Sequence, residues 1–147
     1  MVKLSSLVDY LDGYLSVPDH PDYRTALNGL QVQGREEVKR VAASVDTSEA
    51  VIADATAAKA DLLLVHHGLF WDGLRPLTGR RFRKVQALMK AGTALYSAHL
   101  PLDAHPEVGN CILLARALGL EVKGRFGEHE GAPIGWWGTP GEWERDA

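Results

Sequence analysis

The stretch LVHHGLFWDG, residues 64–73, sets His66 and His67 side by side at the end of an apolar run. Imidazole is the side chain best suited to bind metals and move protons near neutral pH. Neighbouring side chains on a regular strand point to opposite faces, so two adjacent histidines should diverge. Divergent rings suit two metal ions a few ångströms apart, one imidazole to each. Paired ions of this kind clamp the attacking and leaving oxygens of a displacement, or generate hydroxide near neutral pH. The plainer alternative has His66 capping a strand end while His67 points into solvent.

These residues need a scaffold, and the flanking patterns supply one. Leu62–Val65 is a short, wholly apolar run, as a strand buried on both faces requires. Val38–Val45 and Thr93–Ala98 read as two further strands. Leu4, Leu7, Val8, Leu11 and Leu15 recur at helical spacing. Asp46-Thr47-Ser48-Glu49 carries helix-start chemistry ahead of an alanine-rich stretch to Ala60. Phe82, Val85, Leu88 and Met89 mark a third helix ended by Gly92. Pro106 opens a last one with Val108, Ile112, Ala115 and Leu118 on one face and Gly119 as its stop.

The order α-β-α-β-α-β-α predicts an α/β fold, a parallel-strand-rich sheet with helices on both faces. In such sheets ligands collect beyond the carboxyl ends of the strands. The first strand ends in Asp46, the second in His66 and His67, and the third in His99, followed by Asp103. All three ends should lie on one edge. Nitrogen and carboxylate donors favour zinc, iron or manganese over magnesium or calcium.

Composition narrows the remaining classes. The chain has 147 residues, 46% hydrophobic and 24% charged, which suits a soluble globular domain. A net charge of −3 provides no field to draw it onto nucleic acid. The single cysteine, Cys111, excludes an intrachain disulfide and suits the cytoplasm, where it reads as a buried small hydrophobe. Asp9 and Asp12 interrupt the N-terminal apolar pattern, which therefore lacks the form of a signal peptide. No run approaches the roughly 18 apolar residues of a membrane helix. The motifs GxGxxG, GxxxxGK[ST] and GxSxG are absent.

The segments ALNGLQVQG (26–34), DLLLVHHGLFWDG (61–73) and ALYSAHLPLDAHPEVGN (94–110) closely resemble the Nif-three-like proteins. That family binds two metals and is often named GTP cyclohydrolase I type 2. The resemblance runs from Leu4 to Leu120. It implies that His66 and His67 are ligands to divalent ions, two per subunit in the family, with Asp103 a further ligand. It places His99 beside the site; Asp46, from its strand end, and Asn28, from its family-like segment, are further candidates near the metals or substrate. It also implies a homohexamer and one half of a two-part fold, and a hydrolase acting on a nucleotide-like or phosphorylated small molecule. A metal-binding regulatory protein without turnover is the alternative. Family members take a His and a Glu from a second α/β half. His129 and Glu130, in GEHEGAP, do not match that motif, so fewer ions are expected in this chain.

Other residues carry two readings each. Arg80, Arg81, Arg83 and Lys84 form a basic cluster at a predicted helix start, where cations oppose the helix dipole. They either meet a phosphate or make a solvated face. Asn28 and Gln31 could reach the cleft, although Asn28-Gly29 is also a turn signal. Trp71 either walls a pocket or packs, and His105 reads as helping to open the last helix rather than binding metal. Residues 1–123 read as the metal-site α/β domain. The stretch 124–147 holds six glycines, two prolines and three tryptophans without periodicity. It reads as a tail that begins an absent second part or is covered by a partner subunit.

Overall fold

The computed structural model describes residues 1–141. They form two compact units, residues 1–19 with 23–99, and residues 20–22 with 100 onward. The first contains β1 (Val2–Lys3), α1 (Leu4–Tyr14), β2 (Gly29–Val32), β3 (Glu37–Val38), β4 (Val41–Asp46), α2 (Glu49–Ala57), β5 (Leu62–His67), α3 (Gly79–Ala91) and β6 (Ala94–Ser97). The second contains α4 (Leu100–Ala104), α5 (Asn110–Ala117), β7 (Leu120–His129) and β8 (Ala132–Pro140).

The main sheet of the first unit has the order β2-β6-β5-β4. The strands β4, β5 and β6 are parallel, and β2 pairs antiparallel to β6. β5 is flanked on both sides, so Leu62, Leu63 and Val65 of its apolar run are at most 1% exposed. Leu63, Val65 and Leu95 pack with Ile52 and Ala55 of α2 and Leu88 of α3 on one face of the sheet. On the other face the Tyr96 hydroxyl donates to Asp12 Oδ1 of α1 at 2.7 Å. Burial, then that carboxylate, pushes the Tyr96 hydroxyl pKa upward, so it stays a donor. Helices therefore cover both faces, as the alternating pattern predicts.

Several local readings are corrected. The strand expected over Val38–Val45 is two, because Asp61 Oδ2 accepts from the Lys39 and Arg40 amides at 2.9 and 3.0 Å and turns the chain between them. The cap of α2 is Ser48, whose Oγ accepts from Val51 N at 3.1 Å; Asp46 stays in β4 and is left for other work. Of the residues that mark α3, Phe82 and Met89 are 47% and 66% exposed, whereas Leu88 is fully buried. Gly92 does end that helix, in the left-handed conformation.

Asp61 gives a stability prediction. Two backbone N–H groups, and then the Arg35 guanidinium, hold its carboxyl below the ordinary carboxylate range. A depressed folded-state value means the contribution is complete above the unfolded pKa of about 3.9 and is lost as pH falls below it. Asp61→Asn should lower Tm at pH 7 and reduce the loss of Tm between pH 5 and pH 2, as thermal melts across that range would measure.

In the second unit no helix starts at Pro106. His105 Nδ1 accepts from the amides of Glu107 and Val108, both at 3.2 Å, and absorbs the N–H groups that would open one. The helix starts at Asn110, and Gly119 follows its end with φ 65°. The glycine- and tryptophan-rich stretch is not featureless through Pro140: it lies within an antiparallel hairpin of β7 and β8. Glu130 and Gly131 both have positive φ, the signature of a two-residue hairpin turn. Gly124 faces Trp137 and Gly135 faces Phe126, and a Cβ at either glycine would come within 2.7 Å of the opposing ring. Rings laid over cross-strand glycines explain a composition that shows no alternation. Residues 142–147, with Trp143, lie outside the described residues. Among those described, no helix is long and apolar enough to cross a membrane.

Candidate metal centre

The parallel register that sets Val65 opposite Ser44 and Ser97 brings the carboxyl ends of β4, β5 and β6 to one edge. Asp46 and His67 are register partners at that edge. Thr47 Oγ1 donates to the His67 carbonyl at 2.7 Å, and Ser97 Oγ donates to the His66 carbonyl at 3.2 Å. Both neighbouring strands thus fix the backbone that carries the two histidines.

The rings do not diverge. The centroids of His66 and His67 are 4.4 Å apart, and His99 lies 4.9 Å from His66 and 5.7 Å from His67. One donor atom from each of the three lies within 4.8 Å of the others. Strict alternation fails because β5 ends here and its last two side chains anchor to opposite neighbours. His66 Nδ1 bonds the Ala98 carbonyl beyond β6 at 3.1 Å, while His67 Nδ1 bonds Asp46 Oδ1 of β4 at 2.7 Å.

Those two bonds decide tautomers. A carbonyl and a carboxylate only accept, so each Nδ1 carries a proton, and in the neutral form of either ring Nε2 is the nitrogen left with a lone pair. Histidines that ligate metals are held by this kind of outer hydrogen bond, which orients the ring and raises its basicity. The donor set therefore fits a divalent ion. His105 has the opposite arrangement, since its Nδ1 accepts from two amides.

Asn28 Oδ1 accepts from the His99 amide at 2.8 Å, so this residue positions the third histidine through its backbone. Asp103 belongs to the second unit, where its Oδ1 accepts from Asn110 Nδ2 at 2.9 Å. In that unit burial, followed by the Asp103 carboxylate, pushes the Cys111 thiol pKa upward, which makes it a poor nucleophile. Two members of the basic cluster have intramolecular partners. Arg81 donates to the Leu69 carbonyl at 2.9 Å and lies over the Phe70 ring, and Arg83 donates to Glu49 Oε1 at 2.7 Å.

Trp71 does wall a cavity of about 370 Å³, together with Tyr23, Thr25 and Asp72. Its ring lies 5.1 Å from His99 and 5.8 Å from His67, and Tyr23 lies 5.8 Å from His99. Thr25 Oγ1 donates to the Trp71 carbonyl at 2.9 Å and ties the two walls together. Sequence reasoning missed Tyr23 and Thr25, which sit in an aperiodic loop far from Trp71 along the chain.

The sequence model of the family described as Duf34/NIF3 (NGG1p interacting factor 3) matches residues 2–144. A protein from Deinococcus radiodurans named GTP cyclohydrolase 1 type 2 homolog is 49% identical over 133 residues, covering 90% of this chain and 50% of that protein. One of the same name from Pyrococcus abyssi is 46% identical over 137 residues, with 93% and 54% covered. The crystal structure of TTHA1606 from Thermus thermophilus matches with a TM-score of 0.80 at 45% identity, over 90% of this chain and 53% of that one. Reduced HcgD from Methanocaldococcus jannaschii matches with a TM-score of 0.70 at 30% identity, over 83% and 49%. The chain spans about half the length of the curated relatives it matches.

Proposed function

Because the chain belongs to the Duf34/NIF3 (NGG1p interacting factor 3) family, we propose that it binds divalent metal through His66, His67 and His99 and acts as a metal-dependent hydrolase on a nucleotide-like or phosphorylated small molecule. The observation that carries this is the convergence of three imidazole donors within 4.8 Å of one another. Zinc, iron and manganese suit those donors. When bound, such an ion supplies a Lewis acid and lowers the pKa of coordinated water.

The chain's own residues supply the rest. Asp46 holds His67 in its donor tautomer, and Asn28 fixes the backbone at His99. Tyr23 and Trp71 offer ring faces on which a planar substrate group can rest. Asp103 is kept as a further ligand on the family resemblance alone. A homohexamer in the cytoplasm belongs to the same proposal, and light scattering on the purified chain tests its size.

The names of the relatives make GTP the first substrate to try. Hydrolysis should be assayed over nucleotides and phosphoesters with zinc, iron(II) and manganese(II) in turn. Metal-dependent turnover of any of them that is lost in His67→Ala supports the hydrolase. Stoichiometric metal binding with no turnover would instead favour a regulatory protein, a reading that the family's description as an interacting factor supports.

A further inference from the structure

The register of β2 against β6 is broken at one point. Leu30 pairs with Tyr96 and Val32 with Leu95, so Gln31 is an extra residue in the strand, a β-bulge. A bulge takes one residue out of the ladder and re-aims its side chain, often beside a functional site. Here the re-aimed side chain crosses to the segment that follows the paired histidines.

The Gln31 carboxamide bonds only to backbone. Its Oε1 accepts from the Leu69 and Phe70 amides at 2.7 and 3.3 Å. Its Nε2 donates to the Leu27 carbonyl at 2.6 Å and reaches the Phe70 carbonyl at 3.4 Å. One side chain thus joins the chain two residues after His67 to the chain one residue before Asn28, the residue that holds the His99 amide. Gly68 is part of the device, because a Cβ there would lie 2.4 Å from the carboxamide.

We propose that Gln31, aimed by its β-bulge, is the positioning residue of the imidazole cluster: it sets the spacing of His66 and His67 against His99. The proposal rests on the metal-binding reading above. Gln31 touches none of the three rings in this role. It acts through the two backbone segments that carry them, which links the lone antiparallel strand of the sheet to the chemistry at the carboxyl ends of the parallel ones.

Cobalt(II) is a suitable probe, because its visible spectrum reports coordination geometry independently of turnover. The full chain should be titrated with cobalt(II) as wild type, Gln31→Ala and Gln31→Glu. Gln31→Ala should lose about 10- to 100-fold in affinity, the usual cost of removing a group that orients ligands, and its spectrum should change. Gln31→Glu keeps both acceptances and loses the donations to the Leu27 and Phe70 carbonyls, so its loss should be smaller. It also decides the matter if the alanine variant does not fold. Asp61→Asn, which loosens a backbone tie away from the site, should lower Tm and leave cobalt affinity within twofold of wild type. Affinities and spectra unchanged in the Gln31 variants would overturn the proposal, as would an equal loss in Asp61→Asn. A wild-type chain that binds no cobalt(II) would overturn the metal reading and this inference together, whereas normal wild-type binding with indifferent Gln31 variants would overturn this inference alone.

Discussion

Replacing His66 or His67 by alanine is expected to cost more metal affinity than the roughly 10- to 100-fold that follows from losing an orienting group. Three protein ligands suffice to hold a catalytic ion with one position open. Removing one of three therefore leaves two donors and little affinity. His99→Ala should behave similarly, since its ring lies within 4.9 Å of His66. By contrast, His20→Ala and His129→Ala should bind as wild type does. His20 bonds the Pro21 carbonyl at 2.8 Å and His129 lies at the end of β7. Isothermal titration with zinc measures all five. A second readout is stability: metal at about 100 times Kd raises unfolding free energy by roughly 2.7 kcal/mol, and that rise should vanish in the first three variants only. Asp103→Ala belongs in the series, because its role as a ligand rests on resemblance. Equal metal affinity in every variant would remove the assignment.

The second large effect concerns the number of ions. Two divalent cations about 3.5 Å apart repel by on the order of 20 kcal/mol at an effective dielectric of about 20, so a paired site needs carboxylates to offset the charge. Asp46 is a carboxylate in contact with the cluster, and its Oδ1 is engaged by His67. The chain spans about half the length of the curated relatives it matches, and the further His and Glu that the sequence resemblance implies are not matched by GEHEGAP. We expect at most about one tightly held ion per chain, with weak hydrolysis. Adding the second half of a relative, fused or in trans, should raise the stoichiometry toward two and turnover with it. Native mass spectrometry gives the count, and two tight ions in this chain alone would contradict the charge argument.

Much of the scaffold was legible because its two central strands, β5 and β6, are largely buried. The apolar run of β5 could only be central, and the alternation of strands with helices implied parallel neighbours whose ends share an edge. That logic places Asp46, His66, His67 and His99 at one edge from the sequence alone. It failed where a side chain outcompeted a local propensity. His105 captured two amides and delayed the last helix, and Asp61 captured two more and split a strand. β2 was hidden because Asn28-Gly29 reads as a turn and four residues show no period. The hairpin was hidden because rings packed over glycines break the usual alternation. The divergence expected of His66 and His67 was a rule for strand interiors applied at a strand end. Their convergence depends on anchors, Ala98 and Asp46, that are distant in sequence.

Anomalous diffraction from a crystal of the chain grown with zinc, recorded at the zinc edge, tests the central claim most directly. The expected result is a peak about 2.0–2.1 Å from the imidazole nitrogens of His66 and His67, with His99 turned toward it and Asp46 still bonded to the opposite nitrogen of His67. A zinc-saturated crystal with no peak at these rings, or with its strongest peak elsewhere, would contradict the account.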